Sequence, residues 1–213
     1  MSTKNWSLNT RLLHLGLVAT VSAQLLISLV MVAPDHKGPF LAKLAFDAHE
    51  AIGLTALTIV IAHWLWSAFS HVDGGLQHLF PWRKQARQEV AKDIKSLMGG
   101  KFPAPGHKGG LAGLIHGLGL LAVTGTAITG GALFILFPES GEPGALAEAF
   151  AGLHEWIASF VWAYWIGHGG IALLHHYKGH NVVRNMFTLD TAPTTADHTH
   201  LPTGLPEPRL DQR

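Results

Sequence analysis

Along the chain, long stretches without a single Asp, Glu, Lys or Arg alternate with shorter segments in which those residues gather. The uncharged stretches run from Leu12 to Ala33, Ala51 to Ser70, Gly109 to Pro138 and Trp156 to Tyr177. Each reaches the roughly 20 residues with which a helix crosses a hydrocarbon core. None keeps the strict apolar–polar alternation of a strand, and a backbone in lipid must satisfy its own hydrogen bonds, so the pattern predicts helices. The expected fold is an all-α membrane protein, a four-transmembrane-helix bundle with spans at about 12–33, 46–70, 111–137 and 153–177.

Between the second and third spans the pattern changes. Trp82, Ala86, Val90, Ile94 and Leu97 recur at three or four, with Arg83, Lys84, Arg87, Lys92 and Lys95 mostly between them. That spacing predicts an amphipathic helix over about 82–98, lying on the membrane surface against anionic lipid and ended by Gly99 and Gly100. The third span is rich in glycine, and Gly113 and Gly117, four apart, let helix backbones approach closely. Residues 1–190 read as one four-helix domain, and the Pro-rich hydrophilic stretch 191–213 as a disordered tail on the cytoplasmic side.

Composition agrees, with 48% hydrophobic and only 14% charged residues. The distribution of charge adds an orientation. Between His71 and Lys108 stand seven basic residues, whereas 139–155 holds none and four glutamates. By the positive-inside rule the long loop is cytoplasmic, and Lys4, Arg11, Lys178 and Arg184 put both termini on that side. Trp6, Trp82 and Trp156 fall near the expected interfaces, while Trp162 lies deeper and needs a packing explanation. The first stretch is too long for the apolar part of a signal peptide and carries His14, so it reads as structure. Cysteine is absent, which removes disulfides, thiolate iron–sulfur ligation and covalent haem attachment through C-x-x-C-H. Nucleic acid is not an expected partner.

The histidines carry the candidate chemistry. There are fifteen, as many as Lys and Arg together. His49 and His63 lie fourteen residues apart on the second span, and His154 and His168 repeat that spacing on the fourth. Fourteen residues return a helix to within about 40° of its starting direction and carry it about 21 Å further. Each helix thus presents two imidazoles on one face, near opposite membrane surfaces. Ionisable groups inside a membrane are costly and default to functional roles, and neutral imidazole is a natural axial ligand of haem iron. Two levels of facing histidines would hold two haems. At the outer level His49 and His154 are the only histidines at span ends, and they pair. At the inner level His14, His63, His116 and His168 all lie within reach, and spacing does not choose between them. Gly167, Gly169 and Gly170 around His168 suit a close porphyrin face and favour it as one partner.

These residues carry a resemblance. The order Arg11-Leu-Leu-His14, Ala48-His49-Glu-Ala-Ile-Gly53, His116, His154-Glu155, His168 and Leu173-Leu-His-His-Tyr177 resembles the bacterial cytochrome b561 family over about Asn5 to Met186. It is also similar to the b-type membrane subunits of nickel–iron hydrogenases and formate dehydrogenases, notably in Gly179-His-Asn-Val-Val-Arg-Asn-Met186. The resemblance implies two haem b groups, with His14 paired to His168 and His49 to His154. It gives no ligand role to His63, which stands where family members carry arginine, and Leu15 replaces a common tryptophan. It further implies exchange with ubiquinone or menaquinone near the cytoplasmic haem, where His116, His175, His176 and Lys178 could supply hydrogen bonds or protons.

Filled axial positions leave no open iron site, which points to outer-sphere electron transfer. The leading expectation is quinone-linked oxidoreduction in the bacterial inner membrane, with a periplasmic donor or acceptor that in the family includes superoxide. Glu139, Glu142, Glu148 and Glu155 at the outer surface would repel an anion, with Lys37 and Lys43 opposite them. A second reading is the membrane-anchor subunit of a hydrogenase- or dehydrogenase-type complex, which needs a catalytic partner subunit. A third, a histidine-lined proton or metal transporter, lacks the mid-membrane carboxylates such a path uses.

Overall fold

The computed structural model describes residues 6–32, 38–70, 73–101, 109–137, 143–180 and 182–188. Four long helices dominate it: α1 (Leu8–Ile27), α2 (Phe40–Phe69), α5 (Gly110–Leu136) and α6 (Ala145–His175). Two short helices, α3 (Gly75–Leu79) and α4 (Lys84–Met98), connect α2 to α5. After α6 a wide turn over His176–His180, with Gly179 at φ 83°, leads into α7 (Val182–Phe187). All four long helices are apolar enough to cross a membrane, and no strand occurs among the described residues. The tail at 191–213, His36 and Lys37 lie outside the described residues.

Three of the spans, α1, α2 and α6, begin earlier than the uncharged stretches do. α1 starts where the Ser7 hydroxyl accepts the amide of Thr10, and α2 and α6 take in Lys43, Asp47, Glu50, Glu148 and Glu155. A helix needs no uncharged residues where it projects past the hydrocarbon, so charge marks the lipid boundary and not the helix boundary. α1 also ends before residue 33. The amides of Leu29 and Val30 bond carbonyls three residues back, a tightening that closes the helix ahead of Pro34.

Polar contacts tie the ends of the helices together. Buried Asp73, just after α2, accepts the Ser7 amide at 3.2 Å and the hydroxyls of Ser7 and Thr10 at 2.5 and 2.6 Å. Arg11, also buried, donates to the carbonyl of Thr188 beyond α7. Asp93 of α4 accepts the Leu111 amide at 2.9 Å, capping the first turn of α5, whose own cap position, Gly109, has no side chain. The start of α1 therefore sits with the end of α2, and α4 with the start of α5, as an up-and-down bundle requires.

Close packing links α1 to α2, α2 to α5 and α5 to α6. The remaining side is bridged by long side chains, among them the Trp165 indole donating to Ser22 Oγ at 2.9 Å. One apolar residue from each span meets at mid-depth: Leu25, Val60, Val123 and Val161, with Val60 1% exposed. Trp162 packs against this layer and edge-on to Trp165, which explains its depth. Outward, large apolar residues such as Ile61, Leu65, Leu118, Ile128, Phe160 and Ile166 lie exposed along the spans. A water-soluble fold would bury such a surface, and lipid accepts it.

Gly113 and Gly117, whose spacing predicted a close approach of helix backbones, face α3. A Cβ on Gly113 would stand 2.2 Å from the His78 carbonyl oxygen, and one on Gly117 2.6 Å from that of Leu79. Replacement Gly117→Ala should therefore displace α3 and cost about 1–3 kcal/mol. Gly152→Ala, where a Cβ meets open space, should be neutral or slightly stabilising. Thermal unfolding in detergent compares the two, and equal stability would refute the packing argument.

Candidate functional site

The two histidine pairs form at opposite ends of the central apolar layer. At the outer level, His49 of α2 and His154 of α6 face each other with ring centres 6.3 Å apart and planes at 78°. At the inner level, His14 of α1 and His168 of α6 do the same at 6.3 Å and 63°. α6 thus supplies one ring to each pair, and its fourteen-residue spacing sets their separation at about 21 Å along the helix.

The gap itself has chemical meaning. An imidazole bound to iron places its nitrogen about 2 Å from the metal and its ring centre about 1 Å further, so two axial rings have centres roughly 6 Å apart. Both pairs match that separation, and at that distance the rings do not touch each other. His116, the other inner-level histidine near His168, has its ring centre only 4.7 Å away, at 80°. That is an edge-to-face contact with no room for a metal between. Among the described residues no three His, Cys, Asp or Glu side chains converge to hold a bare metal ion. Two facing imidazoles suit a metal that brings its other four ligands in a macrocycle.

Space at the outer level fits such a group. A cavity of about 450 Å³ opens there, within the range of cofactor sites. Its walls are thinned by small residues: Gly53 and Ala56 of α2, Ala127, Gly130 and Gly131 of α5, and Ala158 of α6. Glu50 and Glu155 also line it. The His49 carbonyl accepts from Gln24 Nε2 at 2.5 Å, which holds α1 against α2 beside the cavity. His154 Nδ1 meets Thr129 Oγ1 at 2.9 Å, whereas the buried Nδ1 atoms of His49 and His14 have no hydrogen-bond partner among the described residues.

The inner level is more crowded. Tyr164 lies one turn before His168 and stacks on its ring, with centres 5.1 Å apart and planes at 13°. Gly119 of α5 permits this, because a Cβ there would overlap the phenol ring at 2.3 Å. Phe187 of α7 packs 6.1 Å from His14. Among the described residues no atom lies within 4 Å of a Cβ placed on Gly167, Gly169 or Gly170.

The remaining sequence candidates separate. His116 sits within the inner cluster, its Nδ1 2.7 Å from the Ala112 carbonyl. Since a carbonyl only accepts, Nδ1 carries the proton and Nε2 is left as an acceptor. His176 and Lys178 are exposed beyond α6, and His175 ends that helix, away from the bundle's centre. His63 faces Ser67 Oγ at 3.3 Å and lines a small cavity of about 60 Å³ with Thr10, Trp66, Asp73 and His78. Sequence reasoning passed over Tyr164, Thr129 and Asp73. Tyr164 was available from its spacing of four before His168, but the other two act across helices and left no local signal.

A family model for prokaryotic cytochrome b561 matches residues 5–189. No curated protein and no solved structure matches the chain. With that match running from before α1 to beyond α7, over a bundle of four apolar helices, the chain belongs to the prokaryotic cytochrome b561 family and is a multi-pass bacterial membrane protein that binds b-type haem and serves electron transfer.

Proposed function

We propose that the chain holds two haem b groups, one between His14 and His168 and one between His49 and His154. Through them it passes electrons between a membrane quinone, ubiquinone or menaquinone, at its cytoplasmic end and a periplasmic donor or acceptor across the bacterial inner membrane. The observation that carries this reading is the common ring separation of 6.3 Å in the two pairs. When bound, haem supplies a one-electron iron couple with no open coordination position, which suits outer-sphere transfer.

The chain's own residues do the positioning. α6 fixes the spacing of the two sites, and Leu25, Val60, Val123 and Val161 keep water from the layer between them. His116, protonated at Nδ1 and open at Nε2, is suited to exchange a proton or hydrogen bond with a quinone oxygen near the inner pair. His175, His176 and Lys178 at the end of α6 would then serve proton supply from the cytoplasm. On the outer side Glu50 and Glu155 line the cavity, which favours a neutral or cationic partner and disfavours superoxide.

Two measurements test this reading. Replacing His14, His49, His154 or His168 singly by alanine should remove about half of the bound haem, read by reduced-minus-oxidised spectra and haem quantification. Retention of two normal haems in any one variant would break that residue's assignment, and colourless wild-type protein made with ample haem would end the proposal. Replacement His116→Leu should leave both haems in place and slow quinone turnover by about a hundredfold. Unchanged turnover would remove His116 from the quinone site.

A further inference from the structure

The four histidines of the two pairs are not equally supported. His49 and His14 have buried Nδ1 atoms without a hydrogen-bond partner among the described residues. His154 has a side-chain contact at this atom, Thr129 Oγ1 at 2.9 Å, and Thr129 is itself only 4% exposed. The direction of this hydrogen bond follows from the neighbours. Thr129 Oγ1 lies 2.8 Å from the Gly125 carbonyl and 3.1 Å from that of Thr126, and both can only accept. The single hydroxyl proton is directed to them, so the lone pair of the oxygen faces the imidazole and His154 donates from Nδ1.

Gly130 fixes which edge of the ring faces α5. A Cβ there would stand 3.2 Å from His154 Cε1 and 3.6 Å from Nδ1, so the Cε1 and Nδ1 edge lies against the glycine backbone. The protonated nitrogen is thus turned into α5 and bound there, and Nε2 is the nitrogen left to act as a ligand. A hydrogen bond from the far nitrogen of a ligating histidine fixes its tautomer and raises its basicity.

From this arrangement we infer that Thr129 is a positioning residue of the outer site: the relay Gly125 carbonyl, Thr129 hydroxyl, His154 Nδ1–H holds the ring with Nε2 toward His49 and makes His154 the stronger donor of that pair. The inference rests on the assignment of His49 and His154 as haem ligands. A more basic axial ligand stabilises the ferric state, so the relay lowers the potential of the outer haem relative to the same site without it. One buried hydroxyl then helps set the order in which the two haems fill with electrons.

The test uses the full-length holoprotein in detergent. Wild type, Thr129→Val and Thr129→Ser are compared by spectroelectrochemical titration and by the low-spin ferric signals in electron paramagnetic resonance. In Thr129→Val, which keeps the volume and loses the hydroxyl, one of the two reduction waves should move to higher potential and one ferric signal should change. The other wave and signal should stay in place. Haem at that site should also be lost more readily, by about tenfold in affinity. Thr129→Ser restores the hydroxyl and should return all of these toward wild type. If the valine variant loses the outer haem outright, retention in the serine variant supports the relay. Overlaying titrations of Thr129→Val and wild type would overturn the inference while leaving the dihaem reading intact, and equal changes in the two variants would reduce Thr129 to a packing residue. A wild-type protein without two haem waves would instead defeat the ligand assignment.

Discussion

In each of two pairs, imidazoles face each other inside the bundle with ring centres 6.3 Å apart, and the helices around them hold that gap open. Left to dispersion forces, helices in lipid would close such a gap, because every unfilled space loses contacts. Here α6 packs closely on α5 and reaches α1 through the Trp165–Ser22 hydrogen bond. The valine and leucine layer at mid-depth closes the interior between the two levels. Above and below it the facing rings of each pair stand with centres 6.3 Å apart.

The two ends of the bundle differ in kind. At the inner end Asp73 gathers the start of α1, Arg11 reaches the chain beyond α7, and Asp93 caps α5. These links join elements far apart in sequence, and buried charged groups require such partners. At the outer end the cavity walls carry Glu50 and Glu155 and many small residues. The inner end is tied by buried charged groups, whereas the outer one combines a small-residue cavity with the Gln24–His49 and Thr129–His154 hydrogen bonds.

How much of this was legible in the sequence depends on the range of the signal. The four spans and the amphipathic helix α4 follow from local composition and period, and they appear within a few residues at α5 and α4, with larger shifts where helices run on through charged interface. The fourteen-residue repeat of His49 and His63, and of His154 and His168, announced two levels on two helices. Yet His63 faces Ser67, and the partner of His168 at a ligand-like distance is His14 from the first span. Periodicity gives a direction around one helix, but no distance between helices, so four inner candidates could not be separated by spacing. The glycines show the same limit. Gly113 and Gly117 announced a close approach, but the approaching backbone belongs to five-residue α3, too short to leave a periodic trace.

That α6 supplies a ring to both levels has a consequence for biosynthesis. Among the long helices it is the last in chain order, so during translation neither pair can exist while α1, α2 and α5 are already inserted. On the proposed ligand assignment, haem capture would then be deferred until the bundle is nearly complete, because neither facing pair forms before α6 docks. The same late helix that finishes the membrane domain also completes both facing pairs.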